Sequence, residues 1–302
     1  MRRIWVSLIT STAAACFIIW LTRRQVLPPC TPRWRLRRRR WAAVFALAPE
    51  AAQVGGGLGF MVYAPHGRAG VYPLQAAFGA LLQGMAPETR LPAAKTLVAA
   101  LPKGHAFAHN PNLGDHKGSD AGFYDLLLHS QDRAFDVTEL LEVLDVSGWR
   151  LGGFTMPALY DLSRIASVPA HLTDAQRMAV AEQLRGTIKT HVAYAAPKEA
   201  AHAPVSAGDS AAIPHLKGVQ AAPLAQAIAR GASPKLNFGG IDAVLSLPRE
   251  AAPLIAVIDG RRSVAQIAQA ARMDPIQAGT LWSKIHRELG DWGLMLYSRA
   301  LF

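Results

Sequence analysis

The sequence predicts an α/β fold, and three observations carry that expectation. Short apolar runs of strand length, Leu58 to Tyr63 and Trp149 to Met156, are separated by stretches whose apolar residues recur at helical spacing. Hydrophobic residues make up 51% of the 302 and charged residues 18%, which is ample material for a buried core. The net charge of +11 does not belong to the body: ten arginines and no acidic residue lie within Met1–Trp41, leaving 22 basic against 21 acidic residues beyond. A body so close to neutral is a poor surface for tracking phosphates, so no specific nucleic-acid partner is expected.

The first domain-sized feature, residues 1–54, is that basic arm. Residues 4–21 carry no charge and are flanked by Arg2-Arg3 and Arg23-Arg24, with Trp5 and Trp20 near the two ends. Eighteen residues without a charge meet the minimum for a membrane span, and the arginine excess after them would keep the body cytoplasmic, anchored to the inner membrane. The competing reading is that the arm, rich in Arg, Ala, Pro and Trp, is translated outside the native frame. The two cysteines, Cys16 and Cys30, both fall in it, so the body carries no disulfide framework and no cysteine metal site.

From Gly55 the elements follow in order. Gly55-Gly56-Gly57 is a turn and Leu58 to Tyr63 a strand. These glycines precede their strand, whereas a phosphate-cradling loop follows one. Leu74, Ala77, Phe78, Leu81 and Leu82 mark a helix, and Thr89 to Leu101 a second, ended by Pro102 and Gly104. His105 to Asp120 reads as loop and Phe123 to Leu128 as a short apolar piece. Val137 to Asp145 is an amphipathic helix with Thr138 in its first turn and Gly148 at its end, and Trp149 to Met156 is a strand. Thr173 caps a helix to about Gly186, and Lys189 to Ala195 is extended. Alanine, proline, glycine and histidine then mark a linker over 196–235. The C-terminal unit, 236–302, offers strands at Ala243 to Leu247 and Leu294 to Tyr297. Between them lie a helix capped by Ser263 and a longer one begun by Asp274-Pro275.

Three constellations offer chemistry. His105, His109, Asp115, His116, Asp120, His129 and Asp132 have the donors of a metal site, but their spacing matches no metal motif and Pro111 spoils a shared helix face. No metal is expected. Asp120, Tyr124, His129, Gln131, Asp132 and Arg133 surround an apolar piece, where a histidine near neutral pH can serve as a base. Salt bridges and helix caps are the equally weighted alternative. The last helical pair has the outline of a helix-turn-helix, but Glu288 and Asp291 offset Lys284, His286 and Arg287, which favours packing over groove reading.

The run Gly56-Gly57-Leu58-Gly59-Phe60-Met61-Val62-Tyr63 resembles the turn and fifth strand of a class I S-adenosylmethionine-dependent methyltransferase. Val137 to Gly148 followed by Trp149–Phe154 resembles the next helix and sixth strand. The stretches 67–75 and 120–134 are similar to a bacterial subgroup whose C-terminal extension resembles Leu245–Tyr297. The resemblance implies an incomplete Rossmann-like methyltransferase sheet over 55–195, followed by a small α+β, winged-helix-like C-terminal unit. It implies His129 and Asp132 as catalytic candidates, with Tyr63, Tyr72, Asp120, Tyr124 and Arg133 on the substrate side. The family's acidic-x-Gly-x-Gly-x-Gly loop and its acidic ribose ligand are both missing. S-adenosylmethionine is therefore expected in an intact relative and not in this chain, which is expected to be a methyltransferase-like protein without turnover. Its acceptor is unspecified, and an exposed sheet edge favours self-association. The alternative is a membrane-anchored, non-catalytic protein that recruits a partner through its C-terminal unit.

Overall fold

The computed structural model describes residues 57–129, 132–200, 205, 207–238 and 241–299. The expected span over residues 4–21 and the arm around it lie outside the described residues; among those described, no helix is long and apolar enough to cross a membrane. The chain divides into two units: Met1–Leu151 with Ser167–Lys198, and Gly152–Ala166 with Glu199–Phe302.

The first unit holds β1 (Leu58–Tyr63), β3 (Thr190–Pro197) and the start of β2 (Trp149–Phe154), strands of one three-stranded sheet in the order β1-β3-β2. β1 and β3 run antiparallel, in register from Leu58 opposite Ala195 to Tyr63 opposite Thr190. Alternation along β3 is strict at its core: His191, Ala193 and Ala195 are buried, whereas Val192 and Tyr194 face outward. That is the period of two expected of a strand buried on one face. Among the described residues β1 forms one edge of this sheet, where the sequence placed a fifth strand without a parallel neighbour.

Helices fill the remainder of the unit: α1 (Val71–Leu81), α2 (Pro87–Ala99), α3 (Asp115–Gly118), α4 (Asp120–Leu127), α5 (Val137–Val146) and α6 (Asp174–Arg185). Val71, Leu74 and Phe78 of α1 meet Phe123, Leu126 and Leu127 of α4 over Phe107 and Leu113. The caps explain the boundaries. Ser119 Oγ accepts from Gly122 N at 3.0 Å, Asp136 Oδ1 accepts from Glu139 N at 2.8 Å, and Thr173 forms a reciprocal capping box with Gln176. The loop expected over His105 to Asp120 includes the short turn α3, and the apolar piece at Phe123 to Leu128 is the helix α4. Its buried residues at 123, 126 and 127 follow the helical repeat, which an eight-residue span conceals.

The second unit contains two antiparallel pairs, β4 (Ile213–Leu216) with β7 (Met295–Ser298) and β5 (Lys235–Phe238) with β6 (Ile241–Val244). Its helices are α7 (Ala221–Ala229), α8 (Ala252–Ala256), α9 (Val264–Ala270) and α10 (Pro275–Ile285). Asp274 Oδ1 caps α10 by accepting from Ile276 N and Gln277 N, and Ser263 caps α9, both as the sequence indicates. The expected linker over 196–235 instead carries β4 and α7. Leu224, Ala225 and Ile228 are buried from α7, so alanine richness there reflects close helix packing rather than an unstructured tether. Residues 152–166 also group with this unit, through Arg164 and its acidic partners Asp161, Glu288 and Asp291.

Candidate acceptor site at the carboxyl end of the first strand

β1 ends at Tyr63, and the chain turns through His66-Gly67-Arg68-Ala69-Gly70 into α1. Ala64 N and Gly67 N donate to Lys189 O (2.8 Å) and Ile188 O (2.9 Å), holding this turn against the approach to β3. On the other side Phe135 N donates to Tyr63 O at 2.8 Å, which brings the segment after α4 alongside the strand end. Two pieces of chain some 65 positions apart therefore meet where β1 stops, the place where open α/β sheets present their binding residues.

The meeting point is a buried ion pair. Arg68 Nη2 lies 2.6 Å from Asp132 Oδ2, with the two side chains 5% and 2% exposed. Gln75 Nε2, one turn into α1, donates to the same oxygen at 3.0 Å and to Leu126 O at 2.9 Å. The Arg68 guanidinium also sits 3.8 Å from the centre of the Tyr63 ring and 5.6 Å from that of Tyr72, an arrangement favoured by the negative face of each ring. Burial raises the Asp132 carboxyl above the usual range, against the opposing pull of Arg68, Gln75 and the neighbouring His129. Burial likewise pushes the Tyr72 phenol far upward, keeping it neutral; it feels both the guanidinium and the carboxylate. Its hydroxyl is near Arg68 without meeting hydrogen-bond geometry, and it is buried without a partner, as are Arg68 Nε and Asp132 Oδ1.

Of the residues expected on the catalytic and substrate sides, Tyr63, Tyr72 and Asp132 come together here, with His129 near enough to act on Asp132 electrostatically. Three do not join them. Asp120 is exposed and pairs with Lys95 on α2. Tyr124 is 37% exposed on α4. Arg133 pairs with Glu139 of α5 and lies over the Phe135 ring, so adjacency to Asp132 in sequence does not place it in the cluster. The side chains missed are Arg68 and Gln75. Both lie in the 67–75 stretch, but only folding shows that they clasp an aspartate 64 and 57 positions away.

The remaining histidines of the polar block are committed locally. His105 Nδ1 accepts from Phe107 N at 3.1 Å, His109 bonds the Lys103 carbonyl, and His116 packs against the Phe107 ring at 4.8 Å. Among the described residues no group of three or more His, Cys, Asp or Glu side chains is placed to hold a metal ion.

The glycine-bearing turn after β1 has no room for a cofactor. A Cβ on Gly67 would lie 2.4 Å from the Ile188 backbone, and one on Gly70 2.3 Å from Phe107 N. Both glycines admit the protein's own backbone, not a ligand, and no acidic residue stands in the turn. These residues do not fit a nucleoside sulfonium cofactor.

No family model and no curated protein matches the sequence. In fold, 87% of the chain corresponds to 56% of PKMT2 from Rickettsia typhi, a protein-lysine methyltransferase, with a TM-score of 0.51 and 8% identity. The chain thus spans little more than half the length of that protein. At such identity the likeness concerns architecture alone, and what it establishes is a mixed α/β, methyltransferase-like fold.

Proposed function

We propose that this chain is a methyltransferase-like protein whose described residues form the acceptor-binding side of a methyl-transfer site. The first unit corresponds, in this reading, to the C-terminal half of a class I methyltransferase domain. The observation that carries it is the cluster of Tyr63, Arg68, Tyr72, Gln75 and Asp132 at the carboxyl end of β1, in a fold shared with a methyltransferase. Asp132, its Oδ2 fixed by two donors and its Oδ1 left without a partner, is the group suited to take a proton from an acceptor. His129 tunes it electrostatically, and Tyr63 and Tyr72 wall the site. The methyl donor used by relatives, S-adenosylmethionine, does not fit the turn after β1, so in this reading the described residues supply the acceptor side and not the donor side.

The test has two arms. Titration calorimetry of the full chain with S-adenosylmethionine is expected to show no binding; a micromolar dissociation constant overturns the claim that this chain lacks the donor side. In the second arm, the cofactor-binding half of PKMT2 is fused ahead of Gly57, and transfer of labelled methyl into a cell extract is followed. Transfer is expected and should fall at least a hundredfold, in the range for a lost general base, with Asp132→Ala. A fusion that binds the cofactor yet transfers nothing rules out the acceptor-side reading.

A further inference from the structure

Arg68 Nε, Tyr72 Oη and Asp132 Oδ1 are three buried polar atoms without partners; Arg68 is paired with Asp132 at 2.6 Å and lies 5.6 Å from the centre of the Tyr72 ring. Proteins pair the great majority of such atoms, and exceptions mark places where another group completes the set. The chemistry on offer is specific. Asp132 Oδ1 accepts, Arg68 Nε donates, and the Tyr72 hydroxyl does either. Charge at the cluster is already balanced, because Arg68 and Asp132 neutralise each other across 2.6 Å. An ammonium or a carboxylate entering it would add an uncompensated buried charge. Tyr72, Gln75 and His129, which act on the ion pair, are each only half-buried, so part of each side chain reaches solvent.

Resting on the reading of this cluster as the acceptor side, we propose that it binds an uncharged hydroxyl group of the methyl acceptor. One oxygen donates to Asp132 Oδ1 and accepts from Tyr72 or Arg68. A carboxamide needs two separated atoms for the same task, and an amine protonated at neutral pH brings the wrong charge. The substrate class is therefore a neutral alcohol or phenol. Water offers the same chemistry and is the group that the substrate displaces.

The test is crystallographic, on the full chain. Crystals are soaked in glycerol and, in parallel, in methylammonium chloride at equal concentration. The expected result is a glycerol hydroxyl within hydrogen-bond distance of both Asp132 Oδ1 and Tyr72 Oη, with no methylammonium at that position. Water that glycerol does not displace, glycerol bound elsewhere as an adventitious additive only, or methylammonium at the cluster each overturns the proposal. Tyr72→Phe supplies a second readout: with a bridging hydroxyl present, its loss should lower Tm by about 2–4 °C. An unchanged or raised Tm shows that the phenol hydroxyl has no partner to lose, which also sinks the idea. Hydroxyl binding without methyl transfer by the fusion leaves this site standing and removes the acceptor-side reading. Transfer by the fusion without hydroxyl binding does the reverse.

Discussion

Replacing Arg68 by methionine tests the ion pair at the centre of the site. The substitution keeps an unbranched apolar stem and removes the guanidinium. Asp132, with its side chain 2% exposed, then retains a single donor, Gln75 Nε2 at 3.0 Å, because its other oxygen already has none. Stranding one member of a buried pair costs about 3–5 kcal/mol. Loss of the cation stacked 3.8 Å from the Tyr63 ring adds about 1 kcal/mol. Native-state hydrogen exchange on the amides of α1 and α4 isolates the first unit from the second. At about 4 kcal/mol, the low end of that sum, protection there should fall at least roughly a thousandfold at pH 8. The loss should also depend on pH in a definite direction. Burial raises the folded-state pKa of Asp132, so the folded form binds the proton more tightly than the unfolded chain. Stability from this group is then highest in acid and falls as pH rises from the ordinary carboxylate range through the folded-state value. Without Arg68 that value rises further, so the penalty relative to wild type widens with pH. Arg68→Met with Asp132→Leu should recover most of the loss, because both charges are then gone. A penalty below tenfold in protection, unchanged between pH 4.5 and pH 8, would refute this account of the cluster.

Other outcomes follow from the same geometry. Glu182 is fully buried and accepts from Val137 N at 2.8 Å, 3.3 Å from His191 Nε2, so Glu182→Ala should cost about 2–4 kcal/mol by thermal melting, and Glu182→Gln distinctly less. Gly70→Ala should destabilise far more than Gly84→Ala. Both have positive φ, but only the Gly70 Cβ meets backbone, at 2.3 Å from Phe107 N, while that of Gly84 meets nothing within 4 Å; urea midpoints of the two variants decide it. Asp120→Ala, which removes an exposed partner of Lys95, should change stability by no more than about 0.5 kcal/mol and leave methyl transfer by the fusion intact. Sedimentation velocity should show concentration-dependent association through the β1 edge, abolished by Met61→Lys; a monomer at every concentration rules this out.

What the sequence determined by itself is local. The strand character of 58–63 and 149–154, the helix ending near Gly148, and the caps at Thr173, Ser263 and Asp274 all depend on neighbours a few positions away. Gly148, at φ +80°, takes the left-handed conformation that its place after α5 requires. The tyrosines at 63 and 72 and the aspartate at 132 were legible as polar groups flanking apolar elements. Their grouping was not. Tertiary structure decided that Arg68 and Gln75 belong with Asp132, and that Arg133, its sequence neighbour, turns instead to Glu139. It also decided that a run of alanine and proline after residue 196 is built into a strand and a helix. The physical reason is the same in each case. A residue's secondary structure is biased by its own few dihedrals and caps, whereas a buried charge is placed by whichever partner the folded chain delivers, and that partner carries no mark in the local sequence.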